Sequence, residues 1–297
     1  MLAAEIHGKV SDSNPPNQRM EDTLTSSVFS VFRYLNNCEL LSKYLSKACN
    51  IHNKYLEFAE IDRAWIYFWP LFKFQGTGFR QPDALLFLQT KHGEKLAIVV
   101  EAKYEYGLSN ILSKGSTNTE DNIVKKDADI SFGHQLMDEY CGLKCGIWLF
   151  TESYLDFDPQ KELFETNQKY LLYVTANYEI PANDILEGLK TSPRFKHCVY
   201  TNENCSYSAE EEVYWVSWRD LWMIIDEIGF TKNNACIKYS VGERNLIRDL
   251  SQFLEVRELQ PFNPFEKLAP LQIYQSRFDD LSIFQGLKPI DRYKETL

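Results

Sequence analysis

Asp83, Glu101 and Lys103 are the residues of this chain whose types and spacing point most directly to a reaction. Glu101 and Lys103 are two apart, so in a strand they project to one side of a sheet. Asp83 opens the apolar run Ala84–Leu88, and Glu101 closes another, Leu96–Val100. Two carboxylates brought close together repel, and a hard divalent cation relieves the repulsion. Mg²⁺ is commonly held by one or two carboxylates, keeps several waters and takes phosphate oxygens as further ligands. A lysine beside them can orient a water or stabilise charge developing on phosphorus. The set suits metal-assisted hydrolysis of a phosphodiester.

The elements that must position these side chains read as two strands joined by a tight turn. A near-continuous apolar run marks a strand buried on both faces. His92-Gly93 fits a two-residue hairpin loop, which pairs Lys91 with Glu94. That register puts Asp83 opposite Ala102, between Glu101 and Lys103, and a one-residue bulge puts it directly across from either. Upstream, residues 20–36 predict an amphipathic helix with Leu24, Val28, Val31, Phe32 and Leu35 as its stripe. Glu21 prolongs the stripe by one turn, whereas Asp22 leans toward solvent. Both also suit the favourable charge at a helix start. Residues 39–59 read as mixed helix. Residues 64–74 read as an aromatic strand, with Pro70 marking an edge or bulge. After Lys103, residues 104–119 are polar and irregular, fitting a substrate or lid loop or plain surface. Lys114, Lys125 and Lys126 make one of the few basic stretches, and contact with a phosphate backbone is assigned to them. Residues 127–143 then read as a helix, despite Gly133, and residues 146–151 as a strand.

This order of helix, three strands, helix and strand, with Pro82-Asp83 followed by Glu101-Ala102-Lys103, resembles the PD-(D/E)XK nuclease superfamily, the restriction-endonuclease-like fold. The resemblance covers about residues 20–152. The run E-D-x-L-T-S-x-V-F from Glu21 to Phe29 is similar to the opening helix of a group of such nucleases from prokaryotic genomes. The resemblance implies an α/β fold with an αβββαβ core and a mixed central sheet. It implies Mg²⁺, with Mn²⁺ able to substitute, held by Asp83, Glu101 and the carbonyl of Ala102. Lys103 would position or activate the attacking water. Glu21 would be a third carboxylate, serving a second metal or its water, with Asp22 as the alternative. Gln135, on the helix after the motif, would orient a phosphate or a ligand. In one branch a Tyr follows that Gln by four residues; here Tyr140 follows by five and is not carried over. The implied substrate is DNA, and the implied setting is defence against phage in a prokaryotic cytoplasm.

The nuclease domain is expected over residues 1–205, and a mostly helical extension packed on it over residues 206–297. Further strands are expected at 170–176 and 213–218. Helices are expected at 181–190, at 218–228 behind a Ser217 cap, and at 244–259. The helical stretch ending in a Pro-Phe turn also resembles the C-terminal part of the same nucleases. Arg194, Lys196 and His197 form a small basic group that reads as a solvated turn.

Composition limits the alternatives. The chain has 297 residues, enough for one large domain or a domain with a subdomain. Its net charge of −10 argues against a free-standing nucleic-acid binder with a broad basic face. A metal-dependent active site is itself acidic, so a nuclease with a local basic patch or a partner subunit stays open. Homodimerisation is frequent among enzymes that cut both strands, and a sensor partner fits an acidic protein equally. The seven cysteines lack zinc-site spacing and read as reduced thiols in an intracellular chain. There is no membrane-length apolar run and no signal pattern. Two readings compete with a DNA nuclease: a ribonuclease with the same chemistry, and a silent nucleic-acid-binding or regulatory subunit.

Overall fold

The computed structural model describes residues 16–74, 77–104, 131–150, 156–166, 168–192, 208–228 and 239–260. Its centre is a five-stranded mixed sheet in the order β1-β4-β5-β7-β8. The strands are β1 (Ile61–Phe68), β4 (Ala84–Thr90), β5 (Lys95–Ala102), β7 (Gln168–Thr175) and β8 (Val213–Ser217). β1, β4 and β5 are antiparallel neighbours, whereas β7 and β8 continue the sheet in parallel. A smaller sheet holds β2 (Leu71–Phe74), β3 (Thr77–Arg80) and β6 (Ile147–Leu149), with β2 in the middle. The protein is therefore of mixed α/β class.

β4 and β5 are apolar on both faces because helices cover both. Ala84, Leu86 and Leu88 with Leu96, Ile98 and Val100 form one face. It packs beneath α1 (Pro16–Tyr34), α2 (Glu39–Leu45), α7 (Trp218–Glu227) and α8 (Val241–Val256), through side chains such as Leu24, Leu41, Leu221 and Leu250. Leu85, Phe87, Ala97 and Val99 form the other face. That face packs beneath α3 (Ser131–Cys145), α4 (Pro159–Glu165), α5 (Ala182–Thr191) and the short α6 (Ala209–Glu212). Ser217 caps α7 and Ser240 caps α8, each in a reciprocal capping box. In the second box Glu243 also accepts from the backbone N–H of Asn36 at 2.8 Å, tying α8 to the end of α1.

The structure corrects several expectations. The β4–β5 loop holds three residues, not two: Thr90 N–H donates to Glu94 O at 2.9 Å, and Gly93 takes a left-handed φ of +83°. The register moves by one. Ala84 faces Val100, so the next residue outward, Asp83, falls across from Glu101 rather than Ala102. The aromatic stretch at 64–74 divides at Trp69-Pro70, because proline has no N–H to continue a ladder. Its first part is β1 in the main sheet and its second is β2 in the small one. The strand expected at 146–151 does not join the main sheet; β6 pairs with β2, and β7 lies beside β5. Ile147 and Leu149 are exposed and only Trp148 is buried. β6 thus lacks the two-faced apolar run that a central strand needs, whereas Leu171–Thr175 in β7 has it. In residues 39–59 only α2 is helical, and Asn50 then organises a turn by accepting from His52 and Lys54 N–H.

α3 approaches the small sheet closely. A Cβ on Gly142 would overlap the Phe72 ring, and the Trp148 indole donates to Gly142 O at 3.0 Å. All described residues fall in one compact unit that ends at Pro261. β8 belongs to the main sheet, and the helices α7 and α8 follow it. Among the described residues no helix is long and apolar enough to cross a membrane, and Cys38, Cys49 and Cys141 carry free thiols.

Candidate active site

Asp83 and Glu101 end adjacent strands on the face that carries α3, and Lys103 follows two residues on, toward the same face. The backbone holds all three. Lys103 N–H donates to Val174 O at 2.7 Å, which continues the parallel ladder one residue past β5. Ala102 N–H donates to Asp83 Oδ2 at 2.8 Å. The Trp218 indole, at the first position of α7, donates to Lys103 O at 3.2 Å.

Helices from both layers complete the cluster. Lys103 Nζ lies 2.7 Å from Glu101 Oε1 and 2.8 Å from Oε1 of Glu21, which comes from α1 on the opposite layer. Glu21 Oε2 also accepts from Tyr104 N–H at 3.3 Å. Gln135 on α3 donates through Nε2 to Glu101 Oε1 at 2.7 Å and to Glu139 Oε1 at 3.1 Å. Glu101 is only 2% exposed and Asp83 7%.

Burial and mutual repulsion set the protonation of the group. Burial pushes Glu101 up to about 8; Asp83 and Glu21 add to the rise, and Lys103 opposes it. Burial likewise pushes Glu21 up to about 7, with Asp83 adding and Lys103 opposing. Burial alone would lower the Lys103 ammonium, but Glu101, Glu21 and Asp83 hold it well above the ordinary lysine range. Glu139 is raised well above the carboxylate range by burial first and by Glu101 second. The carboxylates outnumber the one ammonium, and the cluster is short of positive charge.

Of the sequence-predicted residues, Asp83, Glu101, Ala102, Lys103, Glu21 and Gln135 come together here. Asp22 was expected to lean toward solvent. It is instead buried at 4% exposed, because Thr23, Leu24, Thr25 and Ser26 after it are buried as well and α1 has little solvent-facing surface there. Glu21 is the acid of that pair that reaches Lys103. Tyr140 points elsewhere and donates to Glu212 Oε2. Lys114, Lys125 and Lys126 lie outside the described residues, as do Arg194, Lys196 and His197.

Glu139 escaped the sequence reading. The available signal was its position four residues after Gln135, which places both on one helix face. Its apolar surroundings, Leu136-Met137 and Tyr140-Cys141, made that face look like plain core. Among the described residues no three His, Cys, Asp or Glu side chains form a ready cation cage. Glu21 and Glu101 turn instead on the Lys103 ammonium, Glu139 on the Gln135 amide, and Asp83 on the Ala102 N–H. The donor set nevertheless fits a hard cation: all are carboxylate oxygens, and Glu139 Oε2 is buried without a hydrogen-bond partner among the described residues. Comparison of the chain with protein-family models, with curated proteins and with solved structures gave no match.

Proposed function

We propose that this protein is a metal-dependent nuclease of the PD-(D/E)XK type, hydrolysing phosphodiester bonds in DNA. The observation that carries the reading is the meeting of Glu21, Asp83, Glu101, Lys103 and Gln135 at one end of the main sheet. They come from four separate segments, so sequence proximity does not account for the cluster. Buried acids around a single lysine destabilise a fold unless something offsets them, which favours a functional origin.

Asp83, Glu101 and the carbonyl of Ala102 would hold Mg²⁺ or Mn²⁺, with Glu21 alongside. When bound, the cation supplies Lewis acidity toward a phosphoryl oxygen and toward the attacking water. Lys103, fixed by Val174 and Trp218 through its backbone, offers its ammonium to the water and to charge developing on phosphorus. Gln135 keeps Glu101 in place and presents an amide to the same region. The burial of Glu101 limits competing water at the site. A role in defence against phage follows the resemblance of the α1 segment.

The test is cleavage of supercoiled plasmid, and of an RNA of matched length, with Mg²⁺, Mn²⁺ or EDTA. Wild type is compared with Asp83→Ala and Lys103→Ala. The expected result is metal-dependent nicking of DNA that both substitutions abolish. Preferential cleavage of RNA would reassign the substrate. Cleavage that persists in both variants would remove this site from the reaction. No cleavage by wild type, together with cation binding that Asp83→Ala removes, would favour the silent subunit.

A further inference from the structure

Glu139 is the one acid of the cluster that the proposed chemistry leaves unused. It is fully buried on α3. One carboxylate oxygen, Oε1, accepts from Gln135 Nε2, which also donates to Glu101. The other, Oε2, has no hydrogen-bond partner among the described residues. A buried polar atom left in this state is costly, and native structures rarely keep one without a reason. Gln135 Nε2 joins the Oε1 atoms of Glu139 and Glu101, so the two carboxylates lie at the same end of the cluster.

Burial first and Glu101 second raise Glu139 well above the carboxylate range, which favours its protonated form when no cation is bound. Were all four acids ionised around a cation, Glu21, Asp83, Glu101 and Glu139 would carry four negative charges against one on Lys103; one divalent cation would leave −1, and no basic side chain among the described ion pairs reaches Glu139. Two basic side chains that meet acids of α3 or its surroundings are engaged elsewhere: Arg80 pairs with Asp138 at 3.0 Å, and Lys144 with Glu212 at 2.7 Å.

We propose that Glu139, through Oε2, is a ligand of a second divalent cation shared with Glu101, bound on the α3 side of the site. Gln135 is then a positioning residue that sets the spacing of the two carboxylates. This rests on the nuclease reading for the first cation, held by Asp83 and Glu101. The second position takes a hard cation with oxygen ligands, Mg²⁺ or Mn²⁺.

The test counts cations on the full chain. Mn²⁺ is titrated and free Mn²⁺ followed by electron paramagnetic resonance, for wild type, Glu139→Gln, Glu139→Met and Asp83→Ala. Thermal midpoints are measured in EDTA and in Mn²⁺. Wild type is expected to bind two Mn²⁺. Both Glu139 variants are expected to keep one and to weaken the other about tenfold or more. In EDTA they should melt no lower than wild type, since each removes a buried acid, and their stabilisation by Mn²⁺ should shrink. Unchanged stoichiometry and affinity in both Glu139 variants would overturn the inference, leaving Glu139 a buried protonated acid. The nuclease reading fails separately, if Asp83→Ala binds Mn²⁺ as wild type does.

Discussion

Lys103 is held between two acids, and it stabilises them as much as they hold it. Lys103→Met would leave Glu101, 2% exposed, without its ammonium. Cleavage should fall by about 10²-fold or more, as when a charge-stabilising donor is removed. Stability in EDTA should fall by about 3 kcal/mol, the lower end of the scale for breaking a buried pair. Adding Glu101→Gln should restore the melting temperature and leave cleavage lost. Independent, additive effects on stability would mean that the two residues do not act as a pair. The pH dependence has a definite sign. Glu101 and Glu21 sit at about 8 and about 7 in the folded protein, above an ordinary 4.5. Between roughly 4.5 and 8 the folded state therefore binds more protons than the unfolded one, and stability declines as pH rises through that window. In EDTA, Tm should drop by a few degrees from pH 5 to pH 8, since about 1 kcal/mol shifts Tm by ~2–4 °C in a domain of this size. Mg²⁺ should flatten the decline by compensating the ionised acids. A Tm that rises over this range in EDTA would contradict the assignment.

At the scale of elements, the site depends on how tightly α3 meets the small sheet. Gly142→Ala would press a methyl group into the Phe72 ring, whose centroid lies 4.7 Å from that of Trp148. Phe72 is fully buried and has nowhere to move. A loss of about 1–3 kcal/mol is expected, read as a lower urea midpoint with an unchanged m-value. The β4–β5 hairpin was legible in the sequence because its two apolar runs are long and its turn is short. Its register was not, because a three-residue loop and a two-residue loop carry the same Gly93 and differ only in backbone conformation. β6 was legible as a strand but not by its partner: pairing with β2 is a tertiary choice, made by the burial of Trp148 alone. Asp83, Glu101 and Lys103 stood out as charges ending apolar strands. Glu139 did not, because a single acid inside an apolar helix face looks like core until its neighbours are placed.

At the scale of the whole molecule, a chain with 42 acidic and 32 basic residues must concentrate its positive charge to hold a polyanion. Lys114, Lys125 and Lys126 follow the motif strand closely in sequence, and this is the ground for assigning phosphate contact to them. Replacing all three by Ala should weaken DNA binding and reduce the slope of log K against log salt by about 3, one per lost contact. An unchanged slope would put the phosphate contacts elsewhere. The ion pair between Glu21 and Lys103 spans 82 positions of the chain. It joins a helix of one layer to the far face of the sheet, so Glu21 meets the acids of the β4–β5 hairpin only when α1 has docked. Such non-local closure costs chain entropy before its contacts reward it, and it is expected late along the folding path. The repulsion that Glu21 adds is then absent from most of the climb to the transition state and present in the native state. Divalent cations should accordingly slow the unfolding arm of the chevron and leave the refolding arm nearly unmoved. The acids of this site would then set how long the folded molecule lives more than how quickly it forms.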